Sequence, residues 1–326
     1  MRYLLSLIVL LSPVSFANEK PENDVVSLDS VVVYGIRSGP GLWKVSNGEN
    51  SLWILGTLSP LPKKMQWESM EVESVISDSQ AFISSPGVSF NVGFFSGLSL
   101  ARSAIGIKKN PNKEKLVDVV PADVYQRWLP LKEKYIGNSR KIEKTRPIFA
   151  AGKLFDKALS KIGLTYNTKV TKKVRKLAKK NKLTFISPAF KMDISKLKGS
   201  LKKFKKSEIS DLECFTETMD TLEGDLSVLK VRADAWARGD INRLKELSFK
   251  RPDKSCASAI LDSQLGKDVG IENLDEKLQN LWLEKAKQAL ETNKSTFATL
   301  SIDYLLGKDS YLKLLEAEGY TIKEPN

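Results

Sequence analysis

An α/β fold is the class this sequence predicts, and three observations predict it. The apolar stretch Ser51–Leu55 runs into Gly56-Thr57 and then a Pro-flanked turn, which is how α/β proteins often end a buried strand. Strand-like and helix-like periodicities alternate at both ends of the chain. Removing a leader of residues 1–17 from the 326 leaves about 309, enough for one large domain of this class or two small ones.

The elements follow in order. Met1-Arg2, an apolar run from Tyr3 to Phe16, and small residues at Ser15 and Ala17 have the form of a secretory signal peptide cleaved near Ala17. Pro13 interrupts that run, which is shorter than the roughly 20 residues a membrane span needs. A periplasmic or secreted location is therefore expected, and no Cys stands at the cleavage site to carry a lipid anchor. Residues 18–41 read as a polar leader and a first strand, Val31–Tyr34, with a turn at Gly39-Pro40-Gly41. Leu42–Val45 and Ser51–Leu55 read as strands joined at the hairpin signal Asn47-Gly48. Lys64–Ser77 fits a helix with Met65, Val72, Val75 and Ile76 near one face, and Gln80–Ile83 a short strand. The apolar, Gly/Ser-rich stretch from Val88 to Ile107 is expected to be a loop and helix at a cleft.

A mainly helical insertion is expected over about 121–260. Val124, Trp128 and Leu131, then Ile148, Leu154, Phe155 and Ala158, carry the first part. Val170–Ala178 places Val170, Val174 and Leu177 on one stripe, followed by a strand at Leu183–Ile186 and a second Lys-rich helix. Ile209–Leu247 is helical with a break at Arg238-Gly239-Asp240, where Gly ends one helix and Asp caps the next. Leu274–Glu291 and Lys308–Glu318 read as helices, Ser295–Ser301 and Tyr320–Lys323 as strands.

The net charge of +13 is concentrated. Lys161 to Lys206 holds 16 Lys/Arg against one acid, Asp193, a local +15 that leaves −2 for everything else. The anion-binding candidates are Lys169, Lys172, Lys173, Arg175, Lys176, Lys179 and Lys180 on the first helix, and Lys202, Lys203, Lys205 and Lys206 on the second. Aromatic residues do not interleave these runs as a nucleic-acid stacking platform requires. Anionic lipid, lipopolysaccharide phosphate or acidic polysaccharide is the expected partner outside the cytoplasm, and nucleic acid is not. The two cysteines, Cys214 and Cys256, are expected to oxidise in an exported chain. Closing a loop of 42 residues contributes about 4 kcal/mol on the chain-entropy model.

The motifs "LWKVSNGENSLWILGT", "ADAWARGDINRLKEL" and "STFATLSIDYLLGKDSYLKLLEAEGYTI", in this order and spacing, resemble the TraB/GumN family over residues 42–323. The resemblance implies a central mixed sheet assembled from the N- and C-terminal parts of the chain, with a helical insertion between them. It also implies a relation to Tiki-like metalloproteases and erythromycin-esterase-like proteins. In active relatives the first strand is followed by Gly-Thr-x-His, a Glu follows the next strand, and a second His precedes a C-terminal Gly by three residues. These groups are associated with a divalent metal or acid–base chemistry.

Here Gly56, Thr57 and Gly307 match, but the His positions hold Ser59 and Tyr304, the Glu position falls at Ser84 or Ser85, and an Arg-Asn pair ahead of Trp282 falls at Leu278 and Gln279. The chain has no histidine at all. Hydroxyls are poor neutral ligands for a hydrolytic metal, and no imidazole is present to titrate near neutrality. No metal or other cofactor is expected. The sequence reads as a binding or accessory protein. A hydrolase with a histidine-free Ser/Tyr site and a structural envelope protein with an inert cleft are the alternatives.

Overall fold

A computed structural model describes residues 39–90, 94–167, 169–192, 194–247 and 253–325. The expected signal peptide, the leader and the strand Val31–Tyr34 lie outside the described residues. Ten strands are present among those described: β1 (Leu42–Asn47), β2 (Asn50–Thr57), β3 (Leu61–Pro62), β4 (Ala81–Ile83), β5 (Gly87–Phe90), β6 (Leu164–Thr165), β7 (Thr184–Ile186), β8 (Ala189–Met192), β9 (Ser295–Ser301) and β10 (Thr321–Lys323).

Six of them form one mixed sheet in the order β10-β1-β2-β9-β4-β7. The hairpin at Asn47–Asn50 makes β1 antiparallel to β2, with Gly48 taking the left-handed conformation (φ +56°) that the tight turn requires. From β2 onward the pairing is parallel: β2 with β9, β9 with β4, and β4 with β7. The centre of the sheet thus joins residue 51 to residue 295 and residue 57 to residue 301. Two smaller pairs, β3–β6 and β5–β8, stand apart from it.

Parallel strands must be covered, and their sequences show it: Leu52, Ile54, Leu55, Phe297, Ala298 and Leu300 are buried. The long helix Leu274–Thr292 lies on β1, β2, β4 and β9 through Leu278, Trp282, Leu283, Ala286 and Leu290. Val170, Val174 and Ala178 bring the first lysine-rich helix, Val170–Lys180, into the same core. A second core gathers Leu116, Trp128, Leu154, Phe215 and Met219 from the helices Leu116–Val119, Ala122–Tyr135, Pro147–Lys161 and Leu212–Glu223.

Several boundaries differ from the sequence expectation for local reasons. The helix expected over Lys64–Ser77 begins only at Met70, because the Glu68 carboxylate accepts the amides of Ser69 (2.7 Å) and Met70 (2.9 Å) and starts the helix there. The helix expected over Lys308–Glu318 begins at Tyr311, where the Ser310 hydroxyl accepts the Leu312 amide. A separate short helix, Ile302–Leu306, precedes it. The stretch from Val88 is partly strand: β5 pairs in parallel with β8, and a helix, Phe94–Ala104, follows. The expected break at Arg238-Gly239-Asp240 is present, with Gly239 at φ +71° and the Asp240 side chain accepting the Arg243 amide.

Candidate functional site at the carboxyl edge of the sheet

Because β2, β9 and β4 run parallel and adjacent, their carboxyl ends leave the sheet side by side. That edge is where open α/β sheets commonly hold ligands. Thr57 ends β2 and Ser59 follows it, Ser84 and Ser85 follow β4, and Asp303 and Tyr304 follow β9. The topology therefore brings the widely separated positions singled out in the sequence to one edge.

Gly56 is the point where the three sequence motifs meet. Its carbonyl accepts the Trp236 indole Nε1–H at 2.6 Å, fully buried. A Cβ on Gly56 would stand 2.7 Å from Cζ3 of Trp43, 3.0 Å from Cδ1 of Ile302 and 3.1 Å from Cδ1 of Leu305. Its glycine is thus a matter of close packing. Gly307 has a similar explanation: a Cβ there would meet the Asp303 carbonyl oxygen at 2.5 Å, and its amide donates to that oxygen at 3.0 Å.

The polar side chains of this edge are largely turned toward backbone. Ser85 Oγ donates to the Thr299 carbonyl of β9 (3.0 Å), Thr57 Oγ1 to the Leu300 carbonyl (3.1 Å), and Ser84 Oγ to the Ser85 carbonyl (3.2 Å). Ser59 is half-buried between buried Leu58 and Pro60. Tyr304 is half-buried and stacks on Tyr311, with ring centroids 4.9 Å apart; Tyr311 in turn packs on Trp282 at 5.6 Å. Burial, and then the neighbouring Tyr304 and Asp275, push the Tyr311 hydroxyl well above its ordinary range, so it stays neutral. Leu278 is buried, and Gln279 Nε2 donates to the Asp309 carbonyl at 3.3 Å.

Sequence reasoning missed Arg232. Its helix, Ser227–Ala237, holds its guanidinium 3.8 Å from the Asp303 carboxylate, and it also donates to the Leu247 carbonyl. A lone arginine in a helix carries no signal of such a role; only the fold puts it beside residue 303. The donors at this edge do not suit the metal that the resemblance implies. Ser59, Ser84, Ser85 and Tyr304 offer only hydroxyls in place of imidazole or carboxylate, and Ser85 already donates to a β9 carbonyl. Among the described residues no group of three or more His, Cys, Asp or Glu side chains is placed to hold a metal ion.

The lysine candidates are surface groups on two helices with different partners. Lys169, just before the helix Val170–Lys180, and Lys172, Lys173, Arg175, Lys176, Lys179 and Lys180 on it are exposed, and this helix packs on the helix Met70–Ser77. Lys202, Lys203 and Lys206 are exposed and Lys205 half-buried on and just after the helix Ile194–Phe204, which packs on the helices Phe94–Ala104 and Gln264–Val269. Among the described residues, Lys173 Nζ donates to Ser69 Oγ (2.5 Å) and lies 3.1 Å from Glu73, while Lys203 lies 3.5 Å from Asp268. The Ser69 hydroxyl and then Lys173 hold the Glu73 carboxyl below its ordinary range. Cys214 and Cys256 form the expected disulfide and join the helices Leu212–Glu223 and Asp253–Leu261.

The chain belongs to the TraB/PrgY/gumN family, whose model matches residues 41–324 and so spans the whole sheet together with its helices. No curated protein and no solved structure matches it.

Proposed function

We propose that this chain is an exported, non-hydrolytic member of its family that acts by binding. One observation carries the reading: at the sheet edge where family relatives are expected to place imidazole and carboxylate, this chain has Ser59, Ser84, Ser85 and Tyr304, and it has no histidine elsewhere to replace them. A hydrolytic metal needs about three anionic or imidazole ligands, and general acid–base catalysis needs a group that titrates near neutrality. The partner is anionic, since a local +15 sits within a chain whose remainder carries −2. Lipid headgroups, lipopolysaccharide phosphates and acidic polysaccharide share that chemistry. The charged start, apolar run and small residues before Asn18 support action in the periplasm or beyond, and among the described residues no helix is long and apolar enough to cross a membrane.

The test uses the mature protein purified without chelator. Metal content is measured, and peptide and ester hydrolysis are assayed with added zinc, manganese and cobalt. Substoichiometric metal and no turnover are expected. Stoichiometric metal, or turnover lost on Ser59→Ala, would overturn the reading.

A further inference from the structure

The helix Phe94–Ala104 ends in an exposed turn. Ile105 leaves 72% of its surface in solvent, Gly106 reverses the chain at φ +83°, and Lys108 and Lys109 follow, both exposed. A single exposed isoleucine is ordinary. What distinguishes this one is its setting. Arg146, only 2% exposed, donates from Nε to the Lys109 carbonyl (3.2 Å), from Nη1 to the Ser207 carbonyl (2.9 Å) and from Nη2 to the Phe204 carbonyl (2.7 Å). Its guanidinium also lies over the Phe204 ring at 4.7 Å, and its amide donates to the Lys108 carbonyl at 2.9 Å. One buried cation thus clamps the turn after the helix Phe94–Ala104 to the turn after the helix Ile194–Phe204. The segment carrying Ile105, Lys108 and Lys109 is thereby tied through backbone carbonyls to the segment carrying Lys205 and Lys206, and the two together are termed the lip.

We infer that this lip docks on an anionic lipid bilayer, with Ile105 entering the interface and the surrounding lysines on headgroups. The inference rests on the reading that the chain acts by binding outside the cytoplasm. A surface lysine near anionic lipid strengthens binding about fivefold, within a Debye length of about 8 Å at physiological salt. Insertion of an isoleucine adds about tenfold. Acidic groups also lie nearby: Glu114, Asp118 and Glu208 line a hollow of about 310 Å³ beside Arg146, and Asp268 faces Lys203. The buried Asp211 lines the same hollow, and against these acids stand the exposed Arg102, Lys108, Lys109, Lys202 and Lys206 on and beside the two turns. A soluble acidic polysaccharide would use the same cations but would gain nothing from the isoleucine, and this separates the two partners.

The mature chain is sedimented with mixed phosphatidylglycerol–phosphatidylcholine vesicles and with phosphatidylcholine alone, across a salt series. Binding to the mixed vesicles only, weakening with salt, is expected. Ile105→Ser lowers that binding about tenfold and leaves binding to dextran sulfate unchanged. Lys205→Glu with Lys206→Glu lowers both. Absence of vesicle binding at low ionic strength, or an Ile105→Ser variant that binds vesicles as the parent does, overturns the inference. So does binding of dextran sulfate without vesicles. Ile105 is exposed, so an unchanged thermal melt verifies that the variant is folded. Metal content and hydrolysis are read on the same preparation: an active, metal-loaded protein that binds vesicles overturns only the non-hydrolytic reading, and an inactive one that ignores them overturns only this inference.

Discussion

Gly56 and Asp211 show how single residues in this chain answer to their surroundings. Gly56 sits under the Trp43 ring, with Ile302 and Leu305 closing the remaining space. Gly56→Ala is expected to destabilise the fold by about 1–3 kcal/mol, because Trp43 and its neighbours are fully packed and one of them must shift; urea denaturation measures it, and an unchanged midpoint would refute it. Asp211 is buried, and its Oδ2 accepts the Ile148 amide at 2.9 Å. Burial raises its carboxyl above the ordinary range, against the opposing pull of that amide and of Arg146. The folded chain therefore holds the proton more tightly than the unfolded chain. This contribution to stability is complete below the ordinary aspartate range and is lost as pH rises through the raised folded value. Asp211→Asn keeps an acceptor for Ile148 and should remove this loss, seen as a flatter stability–pH curve on the acidic side of neutrality. Gly56 was legible in the sequence as part of a Gly-Thr motif, but its reason was not, since the indole that bonds its carbonyl lies 180 positions away. Arg232 was illegible for the same cause.

At the scale of elements, what the sequence disclosed depended on how local the cause was. The hairpin at Asn47-Gly48, the strand Ser295–Ser301 and the break at Gly239 rest on turn chemistry and short-range periodicity, and all are present in the fold. The pairing of β5 with β8 rests on contact between residues about one hundred apart, so Val88 and its neighbours showed only an apolar run. The late start of the helix Met70–Ser77 depends on a Glu68 side chain that folds back on two amides, which helical periodicity does not report. The site followed the same division: the exchanged residues Ser59, Ser84 and Tyr304 were visible, while their place along one sheet edge came only with the register of β2, β9 and β4. The disulfide was legible from the even cysteine count and the expectation of export. It joins two helices of the second core across 42 residues. Replacing both cysteines by alanine should lower stability by about 4 kcal/mol, as chemical denaturation of the double variant beside the oxidised parent will measure. A loss below about 1 kcal/mol would place the strength of that core in its packing alone.

For the molecule as a whole, the decisive fact is that its sheet is assembled from chain ends. β9 lies between β2 and β4, and every parallel pair except β4–β7 involves it within the main sheet. A chain ending at Lys294 should therefore lack a cooperative unfolding transition, although most of its helices remain encoded; a sigmoidal melt of that fragment would contradict this. The consequence reaches beyond stability. During synthesis the ribosome delivers β1, β2 and β4 long before the strand that sits between two of them, so Leu52, Ile54 and Phe82 wait for Phe297 and Leu300 until nearly the whole polypeptide exists. Closing a loop of that length is slow compared with forming local helices. A chain that completes its centre last keeps the inner edges of β2 and β4 without their shared neighbour until the final few dozen residues arrive.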